Sequence, residues 1–212
     1  MMIDLHTHSI FSDGVLIPAE LARRAERKGI RVLGITDHGD MSNMDFIIPR
    51  IVKAADALSR VMDIRIIPGI EITHVPPPLI PDMAIKARAL GARLVIVHGQ
   101  TIAEPVAPGT NRAALESDID ILAHPGLISR EDAELARDRG VLLEISARKG
   151  HCLANGHVAK MALETGARMV LNTDSHAPGD LIDMDKALQT ARGAGLSRSD
   201  FEKMIQNAST FS

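Results

Sequence analysis

Aromatic side chains are nearly absent: four Phe, no Trp and no Tyr make up 2% of the 212 residues. Without aromatic platforms a chain cannot stack successive bases or sugar rings, and its core has to be built from Ile, Leu, Val, Ala and Met. A dominant charge is missing too. Lys and Arg number 24 against 27 Asp and Glu, a formal net charge of −3. Binding to long nucleic acid is driven by phosphate neutralisation, so no long nucleic-acid partner is expected and any attraction for anions must be local. The single cysteine, Cys152, excludes an internal disulfide framework and suits a reducing cytosol, so a cytoplasmic location is expected. No apolar run reaches the roughly 18 residues of a membrane span. A cleavable leader is not expected, because its loss would also remove His6 and His8.

What is present is an alternation. Apolar runs at about 2–6, 31–36, 64–71, 93–98, 119–124, 141–146 and 168–173 read as seven strands, separated by helix-like segments. That is the pattern of βα units with a parallel sheet covered on both faces, and the length suits one barrel domain over 1–212. Helix punctuation is legible. PAELARRAERKG has Pro18 at a first-turn position and Gly29 at its stop, SREDAELARDRG has Ser129 and Asp132 at capping spacing with Gly140 behind, and Gly91 and Gly166 end two more. GARLVIVHG and GARMVLNTDSH look like copies of one βα unit. Pro49 interrupts SNMDFIIPRIVKAADALSRVMD, so a regular helix is expected to start near Pro49, with Ser42 and Asp45 resembling a capping box. HVPPPLIP, 74–81, is expected to be a stiff extended loop that walls or lids the site. Ser197 and Asp200 cap a last helix that should cross the barrel exterior.

Six of the nine histidines stand where an apolar run ends: His6, His8, His38, His98, His124 and His176. In parallel strands these ends share one rim, where Asp13, Asp37, Glu71 and Asp174 join them. His6 and His8, one residue apart, present both rings to one face of an extended strand, and Asp174 and His176 repeat that spacing. Glu71 ends IIPGIEI, where a buried carboxylate needs a cation. A rim with so many N and O donors points to a multinuclear metal site in a hydrolase. The sixth strand ends in EISARKGH, placing Arg148 and Lys149 on the rim, with Arg148 the better phosphate anchor because a guanidinium grips phosphate bidentately. Glu144 and Ser146 read as supports for ligands. His74, His151 and His157 read as ordinary loop or helix-start residues, Cys152 as an isolated thiol, and Asn111 and Arg112 as either substrate contacts or a helix start.

HTHSIFSDG, ITDH, PGIE, VHG, AHPG and NTDSH, in that order, resemble the polymerase-and-histidinol-phosphatase (PHP) family over nearly the whole chain. The resemblance implies a distorted seven-stranded (βα)7 TIM-like barrel and two to three divalent ions, Zn, Mn or Fe. It implies His6, His8, Glu71 and Asp174 around the first ion, Glu71 bridging to a second completed by His98 and His124, and Asp13, His38 and His176 around a third. Some relatives carry histidine where Asp13 stands, a departure that implies a weaker third site or a harder ion such as Mn. Asp37 is expected to orient a neighbouring ligand.

Three divalent ions would bring roughly +6 and the carboxylates of Asp13, Glu71 and Asp174 about −3, leaving a positive pocket suited to an anion. The expected activity is hydrolysis of a small phosphate monoester, histidinol phosphate being one candidate. The attacking group would be a metal-bridging hydroxide, with no side-chain nucleophile. An amidohydrolase, which wants eight strands and commonly a lysine on the fourth, is the alternative, as is a nuclease or nucleotide phosphatase on the same barrel. A non-enzymatic subunit of an RNA-processing particle would be favoured by lost ligands, but each expected position is filled.

Overall fold

The computed structural model describes residues 1–211. Among them are eight strands, β1 (Met2–Asp4), β2 (Ile30–Ile35), β3 (His38–Gly39), β4 (Arg65–Ile72), β5 (Leu94–His98), β6 (Ile121–Ala123), β7 (Leu142–Ser146) and β8 (Met169–Asn172). The helices are α1 (Pro18–Arg27), α2 (Met44–Leu58), α3 (Ile80–Ala89), α4 (Thr110–Leu115), α5 (Arg130–Arg139), α6 (Asn155–Thr165), α7 (Met184–Gly193) and α8 (Arg198–Ala208). All ladders are parallel, in the order β1-β2-β4-β5-β6-β7-β8. The two-residue β3 continues the line of β2 after a break at Thr36–Asp37 and pairs His38 with Glu71 of β4. The seven expected strands are therefore the seven staves of a nearly closed TIM-like barrel.

Side-chain alternation sorts the apolar residues into two sets, as a pleated strand requires. Ile3, Leu5, Val32, Ile67, Leu94, Ile96, Ile121, Ala123, Leu142 and Val170 fill the interior. Leu33, Ile35, Ile66, Val95, Val97, Leu122, Leu143 and Ile145 face outward under the helices. Gly34 marks a close approach inside the barrel: a Cβ there would meet the Leu5 carbonyl oxygen at 2.3 Å.

The seam between β1 and β8 is irregular and lies beside the HTH and DSH segments. One bridge, Thr7 to Ser175, and the His8 N–H donating to the Ser175 carbonyl at 2.8 Å replace a ladder. Side chains complete it: Asn172 Oδ1 accepts from the Leu5 N–H at 2.9 Å, and Asp4 accepts from the Thr173 N–H at 3.1 Å and its hydroxyl at 2.5 Å. This seam is the barrel's distortion.

Several local expectations change. α2 begins at Met44, not near Pro49, and Asn43 rather than Ser42 is its cap. Met44, Ile47, Ile48 and Ile51 are fully buried on one face, while Pro49 is on the exposed one. Ser42 donates instead to Asp40 at 2.6 Å. The proline run does not stay extended. Pro77–Leu79 forms a 3-10 turn that leads into α3, with Pro81 in its first turn, where a missing N–H costs nothing. α8 has the expected capping box at Ser197 and Asp200. Its start packs outside through Phe201 and Met204, but Ala208, with Phe211 beyond it, joins the interior set and closes the barrel's lower mouth. No described helix is long and apolar enough to cross a membrane.

Candidate metal centre

Parallel strands deliver their C-terminal residues to one end of a barrel. All nine side chains expected to hold metal meet there. Glu71 is central. Its Oε1 lies 3.4 Å from His6 Nε2 and 3.6 Å from His124 Nε2, and its Oε2 lies 2.7 Å from His38 Nδ1 and 3.7 Å from His8 Nε2. Asp174 Oδ1 stands 3.2 Å from His8 Nε2 and 3.8 Å from His6 Nε2, and Oδ2 is 3.6 Å from His124 Nε2. Toward the seam, Asp13 Oδ1 approaches His176 Nε2 at 3.1 Å and His38 Nε2 at 3.5 Å. His98 packs edge-on against His124, ring centres 4.5 Å apart. Three donor groups relevant to the expected ligand sets lie within 4.8 Å of one another: His6–His8–Glu71, His6–His124–Asp174, and His8–Asp13–His38–His176.

The donors are held from behind. His6 Nδ1 meets Glu144 Oε2 at 2.8 Å, and Glu144 also accepts from Asn172 at 2.8 Å, which turns His6 Nε2 toward Glu71. Such outer carboxylates fix the tautomer of a ligating histidine. Asp37 points away from the cluster and accepts from the N–H and hydroxyl of Ser9 (2.7 and 2.8 Å) and of Ser12 (3.1 and 2.9 Å). It thereby ties down the loop that carries Asp13. Arg148 donates through Nη1 to the Asp174 carbonyl at 3.1 Å and to His176 Nδ1 at 2.8 Å, leaving His176 Nε2 toward Asp13. Lys149 is exposed and has no hydrogen bond or ion pair among the described residues.

Two properties show that these atoms fit cations. His6 Nε2, both nitrogens of His8, Glu71 Oε1 and Asp174 Oδ1 are buried without a hydrogen-bond partner. Each such group costs roughly 1–3 kcal/mol when left unsatisfied, and together these buried atoms would be hard to keep unless cations use them. The backbone gives the second. The only described non-glycine residues with positive φ, His74 (53°), His124 (26°) and Asp174 (51°), all stand here, and such conformations cluster at functional sites. Burial pushes His6 down, but the carboxylates of Glu144, Glu71 and Asp174 overcome it and lift His6 well above the usual histidine range. Burial likewise lowers His8 well below that range, reinforced by His38 and His6. Burial would raise Glu71, yet His6 and His38 hold it well below the usual carboxylate range.

The structure adds three residues to the cluster. His151, expected to be ordinary, is buried in a 3-10 turn with its ring stacked on His124, centres 4.0 Å apart and planes 16° apart. Burial, then the neighbouring His124 and His98, push it down to about 3. Glu104, which no strand-end pattern marks, reaches in from the loop after β5 to His98 Nε2 at 3.2 Å and His151 Nε2 at 3.4 Å. His98 foremost holds its carboxyl below the usual range. His74, also expected to be ordinary, faces Glu104 at 3.1 Å. Their one sequence signal was proximity in the chain: His151 shares a segment with Arg148, and His74 follows Glu71 by three residues. Other candidates brace the scaffold. Asn111 bonds to Gln100 and the Pro125 carbonyl, Arg112 pairs with Asp132 at 2.7 Å, and His157 meets the Ile128 carbonyl at 2.7 Å.

A hollow of about 340 Å³ opens beside the cluster, lined by Asp13, His38, Asp40, Asn43, Thr73, His74 and Glu104. A larger one, about 690 Å³, lies by the strand starts at the opposite end and contains no histidine. Chemistry rather than size therefore marks the site.

Known proteins resemble this chain in sequence or in fold. An uncharacterized protein of Methanocaldococcus jannaschii is 47% identical over 207 residues, covering 97% of this chain and 95% of that one. A probable phosphatase of Shewanella loihica is 28% identical over 216 residues, covering 89% and 83%. Among solved structures, archaeal ribonuclease P with mature tRNA contains a similar fold (TM-score 0.74, 16% identity, 98% of this chain and 89% of that chain). So does histidinol phosphate phosphatase from Lactococcus lactis complexed with Zn, L-histidinol and phosphate (TM-score 0.68, 17% identity, 92% and 94%). The PHP domain profile matches residues 4–89, the stretch that supplies His6, His8, Asp13, His38 and Glu71 to the rim. The chain belongs to the PHP family.

Proposed function

We propose that the protein is a metal-dependent phosphoesterase that hydrolyses a small phosphate monoester, with histidinol phosphate the first substrate to try. The observation that carries this reading is the set of buried, unpartnered nitrogens and oxygens around Glu71. Two to three divalent ions, Zn, Mn or Fe, fit it: the first among His6, His8, Glu71 and Asp174, the second among Glu71, His98 and His124, the third among Asp13, His38 and His176. Bound there, such ions supply Lewis-acid charge to phosphoryl oxygens and lower the pKa of coordinated water.

The chain's own residues do the positioning. Glu144 fixes His6, and Asp37 fixes the loop of Asp13. Arg148 commits Nη1 to Asp174 and His176, while its Nη2 makes no hydrogen bond among the described residues. That nitrogen is the donor offered to a phosphate oxygen, with Lys149 an outer attraction. The hollow beside the cluster suits a small metabolite, and no Phe, Tyr or Trp lines it.

The test is elemental analysis of purified protein followed by phosphate release from histidinol phosphate, mononucleotides and an aryl phosphate, with an amide included. Less than one equivalent of metal together with no phosphate release after Mn or Zn reconstitution would overturn the reading, and amide cleavage alone would make the protein an amidohydrolase. Arg148→Ala should raise KM about 10- to 100-fold, the worth of a hydrogen bond to a charged group, with a smaller change in kcat. Unchanged kinetics would remove Arg148 as anchor.

A further inference from the structure

We propose that His151 is a fourth protein ligand of the second metal position and that Glu104 is its exchangeable ligand on the solvent side. The inference rests on the metal reading given above and extends it to two residues outside the expected ligand set.

His98, His124 and His151 each offer a ring nitrogen, and the three atoms lie within 4.8 Å of one another. His151 is placed for this from both ends. Its Nδ1 meets the Thr101 hydroxyl at 2.8 Å, so with Nδ1–H donated there Nε2 keeps a free lone pair. That Nε2 faces inward, 3.4 Å from Glu104 Oε1 and 3.8 Å from Asp174 Oδ2. A loop histidine serving only the surface would not be buried with its second nitrogen directed at two carboxylates. Glu104 closes the opposite side. Its two oxygens span His98 Nε2 and His151 Nε2, and its side chain stays 39% exposed, on the path by which an anion would enter. His74, held at positive φ, meets the same carboxylate at 3.1 Å and limits how far it can swing.

Counting ligands gives the consequence. Glu71, His98, His124 and His151 already make four, the full shell of a closed tetrahedral zinc site. A position that must also admit a phosphoryl oxygen would therefore need an ion able to take more than four ligands, with the Glu104 carboxylate, at 3.2 Å from His98 Nε2 and 3.4 Å from His151 Nε2, placed to supply the further one and to give way to substrate.

Cobalt(II) is the probe. Chelator-stripped wild-type protein is titrated with Co2+, following ion count by elemental analysis and geometry by visible absorption. Wild type should bind with the weak absorption of five- or six-coordinate cobalt. His151→Asn should weaken one bound ion by at least about 10-fold and leave the others unchanged, whereas Glu104→Gln should keep the ion count and alter only the spectrum. Thr101→Val, which leaves His151 in place but removes its Nδ1 partner, should weaken the same ion less, and reads the same geometry should His151→Asn fail to fold. If His151→Asn or Thr101→Val folds and binds every ion with wild-type affinity and spectrum, the proposal fails while the metal reading stands. If wild type binds no cobalt, both fail.

Discussion

The two ends of the barrel interior are built on opposite principles. At the strand starts Ile3, Val32, Ile67, Leu94, Ile121, Leu142 and Val170 pack against one another, with Ala208 and Phe211 across the opening. At the strand ends the same inward positions carry Glu71, His98, Glu144 and Ser146, and buried donors go without partners. Each fully buried aliphatic side chain contributes roughly 1.5–3 kcal/mol, while each left-handed non-glycine residue at the rim costs roughly 1–3 kcal/mol. Three such residues stand at the rim, so the apolar end outweighs them. Fold stability and chemistry are thus divided along the barrel axis, which lets the rim hold charge and strain that an isolated site could not.

The largest expected effect breaks the rim alone. Glu71→Gln should remove two bound ions per chain and lower phosphate release on the order of 10³-fold, read by elemental analysis and turnover. Retention of both ions would show that Glu71 is not shared between them. Leu94→Ala makes the opposite cut. It should cost about 2–5 kcal/mol in denaturant melts while the folded variant binds its full complement of ions; a parallel loss of metal would mean the two ends are not separable.

Asp37→Ala tests the rim's outer support. With four hydrogen bonds to Ser9 and Ser12 gone, the third ion should weaken about 10- to 100-fold and the first two should stay. The smallest signal is a pH effect. The carboxylates of Glu144, Glu71 and Asp174 raise His6 well above its ordinary value, which favours a proton on it when no ion is bound. An incoming ion must displace that proton, and apparent affinity should fall as pH is lowered. Ion uptake at pH 7 in weakly buffered solution should release at least one proton per chain, and uptake without acidification would contradict the assignment of His6.

The staves and the rim were legible because both depend on short-range pattern. Runs such as RLVIVH and RMVLN are near-continuous in apolar residues, which only a strand covered on both faces tolerates, and a histidine closing one of them has its end of the barrel fixed by strand direction. α2 starts earlier than its proline suggests because burial of Met44, Ile47, Ile48 and Ile51 outweighs the local preference for Pro49 at a helix start. HVPPPLIP coils for the converse reason, its prolines being as compatible with the first turns of a helix as with an extended chain. His74, Glu104 and His151 escaped because they sit on loops, where no periodicity says which way a side chain points.

By itself the sequence determined seven parallel strands, the end at which His6, His8, His38, Glu71, His98, His124, Asp174 and His176 emerge, and the scarcity of aromatic side chains and of net charge. Those properties follow from residue type and alternation along one chain. Only the tertiary structure decided that β1 and β8 meet through Asp4 and Asn172, that Glu144 stands behind His6, that Asp37 holds the loop of Asp13, and that His151 stacks on His124. Each of these joins residues far apart in the chain across a closed ring, and a ring's curvature and seam are set by packing of the whole barrel rather than by any one segment of it.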